Sequence, residues 1–302
     1  MKKAFLTLAL AAVAAGASGQ VVQVASVEKV SLPQEIAVNI PRVSPDGSFV
    51  VLSTNTDNAL YRVSLAGGSP ELVATSGSAL ELAFSPDSKA VVFKSSTTDR
   101  NRLRYYHVQS VDLEKGTSRA LTSKKRHCAS FSVSPAGQLS LADGGKFSAR
   151  SFSGAKVKSA RPVVGINRGH LEITTPDGRT RNLDPQGRGS YLWPSVSPDG
   201  TKIVYYLSGH GCYVCDIDGS NVRELGFVHA PQWLGDNAVI GCQDQDNGVY
   251  VTSSSIVAAD LDGTIQTLTD PSLLGMNPSA SADGKTIAFA SADGKLYRIN
   301  LK

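Results

Sequence analysis

Trp193-Pro194-Ser195-Val196-Ser197-Pro198-Asp199-Gly200-Thr201-Lys202-Ile203-Val204-Tyr205-Tyr206 is the stretch whose reading decides the fold. An extended run enters a Ser-Pro-Asp-Gly turn, and a β-branched, aromatic run leaves it. Proline presets φ at the first corner of a type I turn and aspartate suits the second. Glycine takes the following left-handed position at no steric cost. The segment reads as a β-hairpin.

The phrase recurs on either side. It stands at Ile40-Pro41-Arg42-Val43-Ser44-Pro45-Asp46-Gly47, at Ala83-Phe84-Ser85-Pro86-Asp87-Ser88 and at Ser132-Val133-Ser134-Pro135-Ala136-Gly137. It returns at Pro278-Ser279-Ala280-Ser281-Ala282-Asp283-Gly284, with a degenerate copy at Pro231-Gln232-Trp233-Leu234-Gly235-Asp236. Aligned on Pro194, the copies start at 41, 82, 131, 194, 231 and 278, so the spacings are 41, 49, 63, 37 and 47. Those periods suit a four-stranded propeller blade. A second hairpin follows most copies, as in Tyr61-Arg62-Val63-Ser64-Leu65 before Gly67-Gly68. Tyr213 to Ile217 before Asp218-Gly219, Leu171-Glu172-Ile173 before Asp177-Gly178, and Ala258 to Leu261 before Asp262-Gly263 repeat it.

The expectation is therefore an all-β protein, a six-bladed β-propeller with four-stranded blades. Its last repeat ends on a third strand, Leu296 to Leu301. Val21 to Leu32 offers the missing fourth, so the ring is expected to be closed by the N-terminal strand, which removes exposed edges.

The chain start is set apart from that domain. Met1-Lys2-Lys3 is positive, Ala4 to Ala15 is apolar with Thr7 the only hydroxyl, and Ala15-Gly16-Ala17-Ser18-Gly19 is small. This pattern predicts a signal peptide over 1–19, leaving the propeller at 20–302 in the periplasm or secreted. No later stretch approaches the length of a membrane span.

Without Lys2 and Lys3 the chain carries 28 basic residues against 26 acidic, a net of +2. The charge is unevenly spread: Lys94 to Arg188 holds 18 Lys/Arg and 7 Asp/Glu, a local net of +11 against −9 elsewhere. The block includes Lys124, Lys125, Arg126, Lys156, Lys158, Arg161 and Arg168, and suits an anionic surface. Export argues against nucleic acid as the partner. The four cysteines, Cys128, Cys212, Cys215 and Cys242, are too few to be the main scaffold. Cys212 and Cys215 point to opposite faces at strand spacing, which favours one structural disulfide or buried thiols over a redox or zinc pair.

The run from Trp193 to Tyr205, continued through Asp216-Ile217-Asp218-Gly219-Ser220-Asn221-Val222-Arg223-Glu224-Leu225, resembles a repeat of the TolB-type (WD40-like, PD40 repeat) propellers. That resemblance implies the fold and leaves the function open, since such propellers serve as docking platforms, enzyme companions and sometimes enzymes. The chain has no room for TolB's separate N-terminal α/β domain, so that protein's docking is not carried over.

No G-x-S-x-G elbow, P-loop or helix-opening G-x-G-x-x-G occurs. Folding the repeat onto a propeller puts the Ser-Pro-Asp-Gly turns on one face. Arg126, His127, Arg168, His170, Tyr191, Trp193, His210, His229, Gln232 and Asp244 then fall towards the opposite face, and form the candidate binding set. The first reading is a non-catalytic, monomeric interaction module of the cell envelope, binding an envelope protein or anionic glycan without a cofactor. A second is a metal-dependent polysaccharide lyase or hydrolase; His229 to Trp233 and Gly209-His210-Gly211 resemble the histidine and glutamine manganese ligands of oligogalacturonate lyases. It would need at least three of His127, His170, His210, His229, Gln232 and Asp244 on one divalent metal ion. A third is a purely structural envelope component.

Overall fold

The computed structural model describes residues 19–32, 36–55, 57–127, 129–152, 155, 157 and 161–302. The expected signal peptide therefore lies outside the described residues, apart from Gly19. So do Cys128, Lys156 and Lys158.

The strands of the described residues form seven antiparallel sheets. The expected count of six blades is corrected to seven. Blade one holds β2 (Val38–Val43), β3 (Phe49–Thr54), β4 (Leu60–Ser64) and β5 (Glu71–Ala74); blade two holds β6 (Leu82–Phe84), β7 (Ala90–Thr98), β8 (Arg104–Asp112) and β9 (Thr117–Ala120). Blade three contains β10 (Ser130–Val133), β11 (Gln138–Asp143) and β12 (Lys146–Ser151), and blade four β13 (Val163–Asn167), β14 (His170–Thr174) and β15 (Thr180–Asn182). Blade five is β16 (Tyr191–Val196), β17 (Lys202–Leu207), β18 (Gly211–Asp216) and β19 (Arg223–Gly226). Blade six is β20 (His229–Leu234), β21 (Ala238–Asp246), β22 (Val251–Asp260) and β23 (Ile265–Thr267). Blade seven combines β24 (Gly275–Ala280), β25 (Thr286–Ser291) and β26 (Leu296–Leu301) with β1 (Val24–Lys29), which pairs with β26. The N-terminal strand thus closes the ring. Glu28 takes a two-pronged contact from Arg298 at 3.0 and 2.6 Å, and Gln266 Oε1 accepts from Val21 N and Val22 N at 2.7 and 2.9 Å.

The recurring phrase folds as its chemistry requires. In blade one the Ser44 hydroxyl donates to Asp46 Oδ1 at 2.6 Å and accepts from Phe49 N at 3.2 Å, while Gly47 sits at φ 71°. Ser85–Asp87 and Ser281–Asp283 repeat the side-chain bond at 2.6 Å.

The additional blade was hidden in the 63-residue gap. Its hairpin Thr175-Pro176-Asp177-Gly178 has the same construction, with Thr175 Oγ1 donating to Asp177 Oδ1 at 2.5 Å and Gly178 at φ 84°. Here, however, the turn joins the second and third strands of the sheet. The inner strand β13 also runs against its neighbours. Where ordinary blades meet, inner strands keep step: Asn277 Nδ2 donates to Asn39 O and Val43 N to Ser279 Oγ, both at 3.1 Å. Along β13 the order reverses. Pro162 O accepts from Ser132 Oγ at 3.2 Å while Gly165 abuts Ser130. On the other side Arg161 reaches Ser197 O at 3.4 Å and Gly169 O accepts from Tyr191 N at 3.0 Å.

The core lies between blades. Val204, Val214 and Leu225 pack on Val239 and Val257 across the junction of blades five and six, and Leu171 packs on Ile203 and Tyr205 across four and five. Burial of such side chains is the main stabilising term. Among the described residues, every junction has a buried apolar cluster except that between blades three and four.

Candidate functional site

Three of the sequence-selected residues come together at the inner edge of blades five and six. A register irregularity in β16 falls between Leu192 and Ser195, and Trp193 there adopts φ 49°. A β-bulge of this kind re-aims a side chain. Trp193 consequently stands 5.5 Å from the Tyr206 ring and 6.3 Å from the His229 ring, centroid to centroid. β20 has the corresponding irregularity between His229 and Gln232, with Ala230 at φ 47°.

His229 is held at both nitrogens. Its Nδ1 contacts Asp244 Oδ1, and Tyr206 Oη lies 2.5 Å from Nε2. A carboxylate only accepts, so Nδ1 donates to Asp244. The His229 hydrogen bond holds the Asp244 carboxyl below its usual range, and burial pushes the Tyr206 hydroxyl up.

The remaining histidines stay apart. His170 Nδ1 donates to Asp184 at 2.6 Å in the β13–β14 turn region, whereas His127 and His210 are exposed on loops of their own. The described residues contain no group of three or more His, Cys, Asp or Glu able to hold a metal ion. Tyr191, expected at an exposed surface, is 0 % exposed; its hydroxyl donates to Gly187 O at 2.9 Å and accepts from Gln186 N at 3.0 Å. Trp233 is partly buried, packs against the core of blades five and six, donates Nε1 to Ser195 O at 3.0 Å and lines the channel with Gln232 and Trp193. Cys212 faces blade six and Cys215 faces blade four, and burial raises both thiols, Cys215 to about 12.

A cationic surface lies on the face opposite the Ser-Pro-Asp-Gly turns. The entry loop of blade three lies along β8, with Tyr106 bridged to Lys125. Arg126 donates to Arg104 O at 3.1 Å and places its guanidinium 5.7 Å above Tyr105. Arg100, Arg102, Arg104, Lys124, Arg126, Arg168 and Arg188 are exposed on the loop side of blades two to four. The carboxylates beside them are engaged: Asp99 caps its own turn, Asp143 binds Lys125 at 2.7 Å, and Asp184 holds His170. Arg161 leaves this set, because it lines the central channel.

This geometry is that of the TolB-like, WD40-like propellers. A protein assigned as TolB from Agrobacterium tumefaciens is 20% identical with TM-score 0.56, over 89% of this chain and 91% of that one. TolB from Acinetobacter baumannii is 15% identical with TM-score 0.52, and this chain spans 86% of itself and 62% of that protein. The propeller domain of the Trilobed protease from Pyrococcus furiosus, described as having an open velcro topology, is 14% identical with TM-score 0.60 over 89% and 98%. No family model matches the sequence, and no curated protein matches it. At these identities the likeness establishes the fold.

Tyr206, Asp184 and Arg42 were missed by sequence reasoning. Tyr206 reads simply as the end of an apolar strand. Asp184 had a detectable signal in Leu183-Asp184-Pro185, a loop opening just after a strand.

Proposed function

We propose that the chain is an exported, non-catalytic docking module of the cell envelope, whose loop face on blades two to four engages an anionic partner. One observation carries this reading. Seven exposed cations occupy that face while its neighbouring carboxylates are already bound internally. Partners of this type are polyanionic glycans or acidic envelope proteins. Export rests on the leader-like start of the sequence; among the described residues no helix is long and apolar enough to cross a membrane.

The test is retention of the protein on immobilised polygalacturonate and on poly-glutamate. At about 0.15 M salt the Debye length is near 8 Å, so binding should be measurable there and should weaken steeply towards 1 M. Reversing Lys124, Arg126 and Arg168 to glutamate should lower affinity at least tenfold. The Lys285→Glu change on the opposite face should not. Retention that ignores both salt and the triple reversal overturns the proposal.

A further inference from the structure

The central channel encloses about 630 Å³, a volume in the range of small-molecule sites. Its wall is largely apolar and aromatic, with Phe84, Phe131, Trp193 and Trp233 among the lining residues. The charged side chains on it are Arg42, Arg161, Lys94 and Glu81, and Lys94 and Glu81 neutralise one another as an ion pair. Two cations remain.

Arg42 is the unusual one. It is only 8 % exposed, and its recorded polar contact is Nη2 donating to Leu80 O at 3.1 Å. The carbonyl is presented by a single 3-10 turn, Ala79–Glu81, capped by Ser78. A guanidinium carries five N–H donors. No carboxylate among the described residues forms an ion pair with this one. Burial lowers its pKa to about 10, which leaves it protonated at neutral pH. None of its nitrogens is both sealed and unsatisfied, so the free donors open onto the channel. An unpaired buried charge is strongly unfavourable unless something compensates it.

We infer that the channel is a binding site for a small organic monoanion, a carboxylate on an apolar or aromatic body, with Arg42 as its charge partner. The guanidinium fork matches a carboxylate's two oxygens, and the aromatic wall covers the body. The site is separate from the outer loop face and does not depend on the docking role.

Both tryptophans of the chain, Trp193 and Trp233, line this channel, so intrinsic fluorescence reports on it. Titration with sodium benzoate at constant ionic strength should give a saturable change. Benzamide, its neutral counterpart, and acetate, which lacks the body, should each bind at least tenfold more weakly. Arg42→Gln should reduce benzoate affinity at least tenfold and Arg42→Lys less, since it keeps the charge but loses the fork. Equal binding of benzoate and benzamide by the parent protein overturns the inference without any variant. Equal binding of acetate rejects the apolar-body requirement, and an Arg42→Gln protein that folds and binds benzoate normally removes Arg42 from the site.

Discussion

At the scale of single residues, Asp244 and the buried thiols carry the sharpest consequences. Asp244 is held low by the hydrogen bond from His229. Its folded pKa is therefore depressed below the unfolded value near 3.9. The stability it contributes is present above that value and is lost as pH falls through the lower folded one. Asp244→Asn should cost about 1–2 kcal/mol at pH 7, and its urea midpoint should change less than the parent's between about pH 4 and pH 2. Parallel curves for the two proteins would refute the assignment. The turn aspartates behave alike, since the Ser85 hydroxyl holds Asp87 low and Ser281 does the same to Asp283. For the thiols, burial keeps Cys212, Cys215 and Cys242 protonated, and the thiolate is the reactive form. At pH 8 all three should resist a disulfide reagent in the native protein and react once urea unfolds it. Rapid native labelling of Cys212 or Cys215, identified by mass spectrometry, would contradict their buried placement. The sequence made the opposite facing of this pair legible, because strand periodicity is local. It did not reveal Tyr206 as a partner of His229, because that contact crosses between blades.

At the scale of elements, β1 and β13 are exceptions to the repeat, each in its own way. β1 completes blade seven across the length of the chain, with Val27 opposite Ile299 and Lys29 opposite Tyr297. Removing residues 20–32 should leave β26 as an open edge prone to association. Light scattering should show oligomers and calorimetry a lower Tm; an unchanged, monomeric protein would show that closure is dispensable. β13 has a different weakness. Its junction with β10 is made by Ser130, Ser132, Pro162 and Gly165, without the buried apolar cluster found at the other described junctions. Local opening concentrates where apolar contact is sparse. Amides of β10 and β13 should therefore exchange faster than those of the inner strands β16 and β20, with the ring parting first at this seam. Uniform protection across all inner strands would argue otherwise. The blade was legible as a hairpin, Thr175-Pro176-Asp177-Gly178, but not as a blade. That hairpin sits one strand further out than its relatives, so counting Ser-Pro-Asp-Gly copies passes over it.

At the scale of the whole molecule, the ring turns an uneven linear charge into surfaces of different character. The basic block supplies an exposed loop face on blades two to four, where salt-sensitive polyanion binding is expected, while one of its members, Arg161, is diverted into the channel that Arg42 also lines. The sequence by itself determined the all-β class, the hairpins, the repeat and the closing strand. These follow from short-range physics: the Ser44–Asp46 bond spans two residues, and proline and glycine fix their own dihedrals. Tertiary structure alone decided the number of blades, the reversed inner strand, the burial of Tyr191 and the isolation of Arg42. Each depends on which strand lies beside which across a junction. The Arg42–Leu80 contact spans 38 residues and the Arg161–Ser197 contact 36, and packing at such separations is chosen by the shape of the closed ring, not by local propensity.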